Sequence, residues 1–410
     1  MKEVLHVFPR DSIWRHRDLR LMLPARALSS FGDDMTLVVL TLRVYDEGLG
    51  PWSITGLLIC AAAPVVLLAP LAGRLVDSVP FRTLAVGTAI WQAAGCAALA
   101  FSASLWSTYL LVVALQAGHV VAGPTWQALV PSIARPDQVG RVVSTAQALN
   151  TVATVAAPAA AGLTAGWFGY GVPLLLDAAT FLVLGAAGSA IRTTRRVEGT
   201  PRSKHGRQEV APFTLRSDSL LWPLIVGLCA LVVTAEATNV VEVFLLRGTL
   251  DASAVSYGLV AAVLAGGIVV GSIVASRTVT DGGRARRTSV AAIALALALV
   301  SAGLAPTLWV YAAASAVIGV TNGIVNADTS TVLLSRTPES SRGRALARVN
   351  GMVRGSALGA MALGGAAGTL LGPRATFVGA GALSVVVAIL LLVRIRRALA
   401  GSDALPVPVS

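Results

Sequence analysis

About a dozen apolar stretches, each roughly 20 to 26 residues long, run almost end to end through this chain. A hydrocarbon layer about 30 Å thick takes about 20 residues of helix to cross. Inside that layer the backbone must satisfy its own hydrogen bonds, so such stretches are helices. The pattern predicts helices near 21–46, 53–76, 82–103, 106–129, 141–166, 170–191, 220–246, 255–277, 286–305, 308–334, 343–371 and 374–398, each end good to about 4 residues. The expected fold class is an all-α membrane protein of twelve transmembrane helices.

Charge orients them. The chain is 55% hydrophobic and 13% charged, which excludes an ordinary soluble globule and a disordered chain. Its net charge of +12 would point to nucleic acid in a soluble protein. Here the cations alternate with the helices instead. Lys2, Arg10, Arg15, Arg17 and Arg20 precede helix 1, and Arg192, Arg195, Arg196, Arg202, Lys204, Arg207 and Arg216 follow helix 6. The other even-numbered connections and the tail are also basic, while the odd-numbered ones hold Arg247 and Arg374. The count is about 26 against 2, so by the positive-inside rule both termini and the central loop are cytoplasmic. No nucleic-acid partner is expected. The start is too charged for a signal peptide, and Cys60, Cys96 and Cys229 all fall within predicted helices. No spacing matches a metal site or a Walker A loop, so neither metal nor cofactor is expected.

The polar stretch after helix 6 divides the chain. The expected organisation is a cytoplasmic segment 1–20, a six-helix bundle 21–191, a linker 192–219, a second six-helix bundle 220–398 and a tail 399–410. A weak internal echo supports it: Gly140-Arg141 opens helix 5 as Gly343-Arg344 opens helix 11. Six plus six helices with faint repetition is the layout of a secondary transporter.

Particular residues carry a resemblance. The connection after helix 2, Pro70-Leu-Ala-Gly73-Arg-Leu75-Val-Asp77-Ser-Val-Pro80-Phe81-Arg82, resembles the signature loop of major facilitator transporters, Gly-x-Leu-Ala-Asp-Arg-x-Gly-Arg-Arg. Gly73, Leu75, Asp77 and Arg82 fit; Pro80, Ser78 and Phe81 depart from it. Ala27-Leu-Ser-Ser-Phe31-Gly32-Asp33, Gly123-Pro124 with Ala128-Leu-Val-Pro131, and Leu176-Asp177-Ala-Ala-Thr-Phe181 look like the drug:proton antiporter branch that includes macrolide exporters. Ala157-Pro158-Ala-Ala-Ala-Gly162 is similar to that branch's helix 5 motif Gly-Pro-x-x-Gly-Gly, with Ala157 for its first glycine. The helix 4 motif Arg-x-x-Gln-Gly is missing. The resemblance implies a major facilitator fold of two rocking bundles, with Gly73, Asp77, Arg82, Pro158 and Gly162 serving conformational change and Asp77 latching through Arg82.

Charge inside a bilayer is costly unless paired or hydrated, so each such group is a candidate site. Asp33 and Asp34 lie midway along helix 1, Glu236 is central in helix 7, and His119 is the histidine within helix 4. These four are the proton-coupling candidates, since transport against a proton gradient needs a group that binds and releases protons near neutrality. Asp177 is read as bonding neighbouring backbone and is left out of that set. Cavity candidates follow from polar stripes at helical spacing. They are Gln116 and Trp126 on helix 4, and Gln147, Asn150 and Thr154 on helix 5. In the second half they are Asn239, Asn322, Asn326, Asp328, Asn350 and Arg354. An arginine as deep as Arg354 needs a carboxylate or a hydrated cavity, with Asp328 or Glu236 as its candidate carboxylate, and Glu242 is expected near Arg247.

The expected function is proton-coupled efflux of a hydrophobic or amphipathic small molecule by alternating access. The alternatives are an importer or facilitator of a metabolite and, in a different class, a non-transporting sensor or scaffold. No enzyme chemistry is expected, there being no nucleophile–base pair. The expected partners are the lipid bilayer, a small-molecule substrate and the proton, with the chain a monomer. The Ala-, Gly- and Arg-rich, Lys-poor composition points to a GC-rich bacterial genome, and the expected location is a bacterial cytoplasmic (inner) membrane.

Overall fold

The computed structural model describes residues 13–193, 215–277 and 280–403. The basic residues at positions 2, 10, 195, 196, 202, 204 and 207 lie outside these. Among the described residues the chain folds into twelve long helices. They are α1 (Arg17–Asp46), α2 (Pro51–Ser78), α3 (Phe81–Ala100), α4 (Leu105–Ile133), α5 (Val139–Phe168) and α6 (Gly171–Ala190). After the linker come α7 (Leu221–Val243), α8 (Ala254–Ala275), α9 (Asp281–Gly303), α10 (Leu308–Arg336), α11 (Glu339–Leu371) and α12 (Pro373–Asp403). A π-helical turn, Phe244–Thr249, extends α7.

Ten of the twelve are long and apolar enough to cross a membrane. The two outside that set, α1 and α11, carry several charges along their length: Arg26, Asp33 and Asp34 on one, Arg344, Arg348 and Arg354 on the other. Helix starts explain themselves chemically. Ser104 and Ser107 form a reciprocal capping box at α4, and Thr280 and Thr307 cap α9 and α10 through their hydroxyls. Gly169 and Gly372 end α5 and α11 with φ of +74° and +81°, where a side chain would be strained.

Two compact units are present. The first contains residues 1–48, 56–200 and 254–259; the second contains 49–55, 201–253 and 260–410. In the first, α1 packs on α5 and α6, and α3 packs on α4 and α6. Its apolar core gathers Leu19, Met22, Phe81, Trp126, Leu129 and Leu184. In the second, α9 packs between α10 and α12, and α7 packs on α11 and α12. Along α8 and α10, Gly267 and Gly271 face Gly319 and Gly323, so a methyl at Gly267 would stand 2.7 Å from the Ala316 carbonyl oxygen. This is a paired small-xxx-small seam, in which two backbones touch with no side chain between them.

Candidate functional site

Helix α1 brings its Gly32-Asp33-Asp34 sequence into the middle of the first unit. Gly32 is there by necessity: an added methyl would collide with the carboxylate of Asp177 on α6. Its absent side chain lets α1 pack directly against α6 at the level of the paired acids.

Asp33 Oδ2 lies 2.7 Å from His119 Nε2 on α4, and both side chains are 25% exposed. The distance is that of an ion pair when the imidazole is protonated, and Asp33 Oδ1 is buried without a hydrogen-bond partner. The His119 ring meets Phe181 edge-on at 5.7 Å between centroids, which fixes its tilt. Asp34, the next residue of α1, is half-buried. Adjacent residues on a helix diverge by about 100°, so the two carboxylates face different neighbours.

Asp177 completes the cluster. Its side chain is fully buried, and its Oδ2 accepts from Thr36 Oγ1 at 2.6 Å and from Cys96 Sγ at 3.1 Å. Thr180 Oγ1 approaches Oδ1 at 3.1 Å and also donates to the Asp177 carbonyl at 2.8 Å. Asp33, Asp177 and one imidazole thus come together from α1, α6 and α4, with Asp34 next along α1 and Cys96 of α3 at the edge. Such a cluster can take up a proton and pass it between a carboxylate and an imidazole at contact distance. The sequence singled out Asp33, Asp34 and His119 separately and set Asp177 aside, although its charge within helix 6 and the Leu176–Phe181 segment both marked it.

The second unit holds other candidates separately. Glu236 accepts from Asn239 Nδ2 at 3.1 Å, one turn along α7. The Asn326 amide donates to the Asn322 side chain and, at 3.0 Å, to its backbone carbonyl. Both asparagines line a cavity of about 30 Å³ between α7, α9 and α10. Asn350 and Arg354 are exposed on α11. In the first unit Gln116 and Asn150 are half-buried and Gln147 is exposed.

Several expectations are overturned. Trp126 sits in the core rather than at an open surface: it is 1% exposed and packs edge-on against Phe81, 5.2 Å between centroids. Asp328 does not await Arg354. It is fully buried and is gripped by Arg287, Nε to Oδ2 at 2.8 Å and Nη2 to Oδ1 at 2.5 Å, with Arg284 3.7 Å away. Arg82 donates to the Ile191 carbonyl at the end of α6, 2.8 Å, where Asp77 was the expected acceptor; Asp77 and Gly73 are exposed. Glu242 takes the Tyr311 hydroxyl at 3.0 Å, where Arg247 was expected. Pro158 and Gly162 are buried on α5, where a methyl at Gly162 would stand 2.5 Å from the Ala254 carbonyl oxygen at the head of α8.

Known proteins share this architecture. The family model of the Major Facilitator Superfamily matches residues 22–301 and 234–406. A curated relative, the uncharacterized MFS-type transporter YfiS of Bacillus subtilis (strain 168), is 23% identical over 168 residues. That match spans 41% of this chain and 40% of the relative. Among solved structures, a bacterial homolog of the human lysosomal transporter Spinster superposes with a TM-score of 0.73 at 15% identity, covering 97% of this chain and all of that one. A POT family transporter in complex with 5-aminolevulinic acid gives 0.75 at 11% identity, covering 95% of this chain and 99% of its own. The nucleoside transporter NupG gives 0.73 at 13%, covering 92% and 99%. At these identities the superpositions speak to the fold, and the sequence match speaks to the family. The chain is a membrane transporter belonging to the Major Facilitator Superfamily.

Proposed function

We propose that this chain exports a hydrophobic or amphipathic small molecule by alternating access, driven by proton entry. The observation that carries the proton reading is the 2.7 Å approach of Asp33 to His119, beside Asp34 and the buried Asp177. A proton arriving at this cluster neutralises a carboxylate or charges an imidazole. Either event changes the cost of holding α1 and α4 together in an apolar interior. That links protonation to helix position, which is what coupling requires. Outward direction and a drug-like substrate rest on the resemblance of the Gly32-Asp33, Gly123-Pro124 and Pro158–Gly162 segments to exporters of the drug:proton antiporter branch.

Everted membrane vesicles energised to an acid interior test the proposal. Addition of a transported amphipathic drug should dissipate the pH gradient, and Asp33→Asn or His119→Gln should abolish that response while Glu236→Gln preserves it. A facilitator of a metabolite would instead move its substrate without drawing on the gradient. Loss of coupling in Glu236→Gln alone would move the proton site to α7.

A further inference from the structure

A slot of about 360 Å³ runs between α7 and α12 in the second unit. Val226 and Ala230 form one wall and Val387 and Leu390 the other, with Val226 and Leu390 exposed. Gly227 gives the slot its depth, because an added methyl there would stand 3.0 Å from Leu391 of α12. Further along, Ser384 Oγ donates to Thr234 Oγ1 at 2.8 Å and ties the two helices together. From Trp222 to Ala230 the slot spans about 12 Å of helix.

Its mouth has a different character. Trp222 and Arg394 stand there, at the arginine-rich end of α12. The guanidinium of Arg216 lies 5.1 Å over the Trp222 ring. Behind Trp222 opens a second hollow of about 620 Å³, walled by Arg216 and Arg348. Among the described residues no carboxylate lies within ion-pair distance of Arg216, Arg348 or Arg394. An apolar slot therefore ends in three arginines and a tryptophan, at the end of the bundle that the charge rule assigns to the cytoplasm.

We propose that this slot binds one anionic phospholipid of the cytoplasmic leaflet. An acyl chain lies between α7 and α12, and the phosphate meets Arg394 and Arg216 beside Trp222. The alternating materials of the site match those of the lipid in order: hydrocarbon, amphipathic ring, cation. Basic pockets between transmembrane helices on this side suit anionic headgroups, and tryptophan favours the headgroup level. A zwitterionic lipid offers the same chain but leaves the excess positive charge uncompensated. The proposal is independent of substrate, direction and proton coupling.

Native mass spectrometry of the full chain in detergent tests it, with phosphatidylglycerol and phosphatidylcholine of identical chains and with free glycerol phosphate. Phosphatidylglycerol should be retained in preference to phosphatidylcholine, and Arg394→Gln should weaken it by about fivefold, the effect of one arginine near an anionic headgroup. Arg397→Gln, exposed on the same helix but outside the slot, should leave retention unchanged. Ala230→Phe and Leu390→Trp, which fill the slot at two positions, should weaken both lipids, with thermal unfolding confirming that each variant is folded. Glycerol phosphate should not compete. Equal retention of the two lipids would overturn the proposal, as would equal losses in Arg394→Gln and Arg397→Gln, no effect of either filling variant, or effective competition by glycerol phosphate.

Discussion

Arg287 grips Asp328 with two parallel hydrogen bonds, 2.8 and 2.5 Å, across the α9–α10 boundary, and donates also to the Val274 and Ala275 carbonyls at the end of α8. One side chain thereby ties three helices together. The carboxylate is fully buried, so removing its charge leaves the guanidinium without its counterion. We predict that Asp328→Asn lowers unfolding stability in detergent by about 3 kcal/mol. Arg287→Lys, which loses the planar fork, should fall between that variant and wild type. A loss too small to measure in Asp328→Asn would show that the pair contributes nothing net.

The Asp33–His119 pair predicts non-additivity. If the two act as one proton-binding unit, Asp33→Asn and His119→Gln should each remove drug-induced proton release, and the double variant should be no worse than either. Independent, multiplying losses would separate the residues. The measurement is initial rate in everted vesicles, normalised to protein in the membrane.

Gly162 faces the head of α8, where the 2.5 Å separation leaves no room for a methyl. Gly162→Ala should therefore cost about 1–3 kcal/mol of stability, the usual penalty for overpacking a tight contact. Gly166→Ala, one turn on, meets Val255 Cγ2, a side chain that can shift, and should cost less. The two variants are compared by thermal unfolding, and equal losses would sink the steric account.

Asp218 offers a pH test outside the membrane-spanning segments. Burial pushes its carboxyl up, but the Leu221 and Leu220 amides, each 2.9 Å away, and Arg336 together hold it below the ordinary aspartate value. A carboxyl depressed on folding stabilises the protein above the unfolded pKa, and that contribution disappears as pH falls through the folded one. Wild type should exceed Asp218→Asn by about 0.5–1 kcal/mol at pH 7, the scale of a part-exposed ion pair such as that with Arg336. The gap should shrink as pH falls below about 4. A gap that is constant with pH would show that the carboxylate charge plays no part.

Trp126 separates core from cavity. Phe81 meets its ring edge-on, and the ring lies 3.5 Å from where a methyl at Gly188 would stand. Trp126→Ala should cost about 3–5 kcal/mol, whereas Trp126→Phe should leave the range of transported drugs unchanged. An altered substrate range in a stable Trp126→Phe protein would return the residue to the cavity.

Helix number and type were legible because a bilayer leaves few choices for twenty apolar residues in a row. Helix ends were less so. α9 begins at Asp281 and α11 at Glu339, each about one turn before the apolar run, because capping and charge extend a helix past the hydrophobic layer. That shift sets Arg287 well inside α9, from where it reaches inward to Asp328. Asp33 and His119 stood out as intramembrane charges, yet their meeting joins α1 to α4 and has no trace in local periodicity. Trp126 sits on a helix face that reads equally well as cavity or core, and only the neighbouring Phe81 and Gly188 decide.

The charges of α1 bear on how the chain reaches the membrane. Translation delivers α1 ahead of the other eleven helices, and it lies outside the set apolar enough to cross alone, with Asp33 and Asp34 at its middle. The acid that its Thr36 hydroxyl will bond, Asp177, is encoded 141 residues later. At about 5–20 residues per second, the ribosome takes roughly 7 to 28 seconds to supply it. Throughout that wait α1 needs a polar lodging other than bare lipid, so the cell's insertion machinery must hold this helix until its own chain can release it.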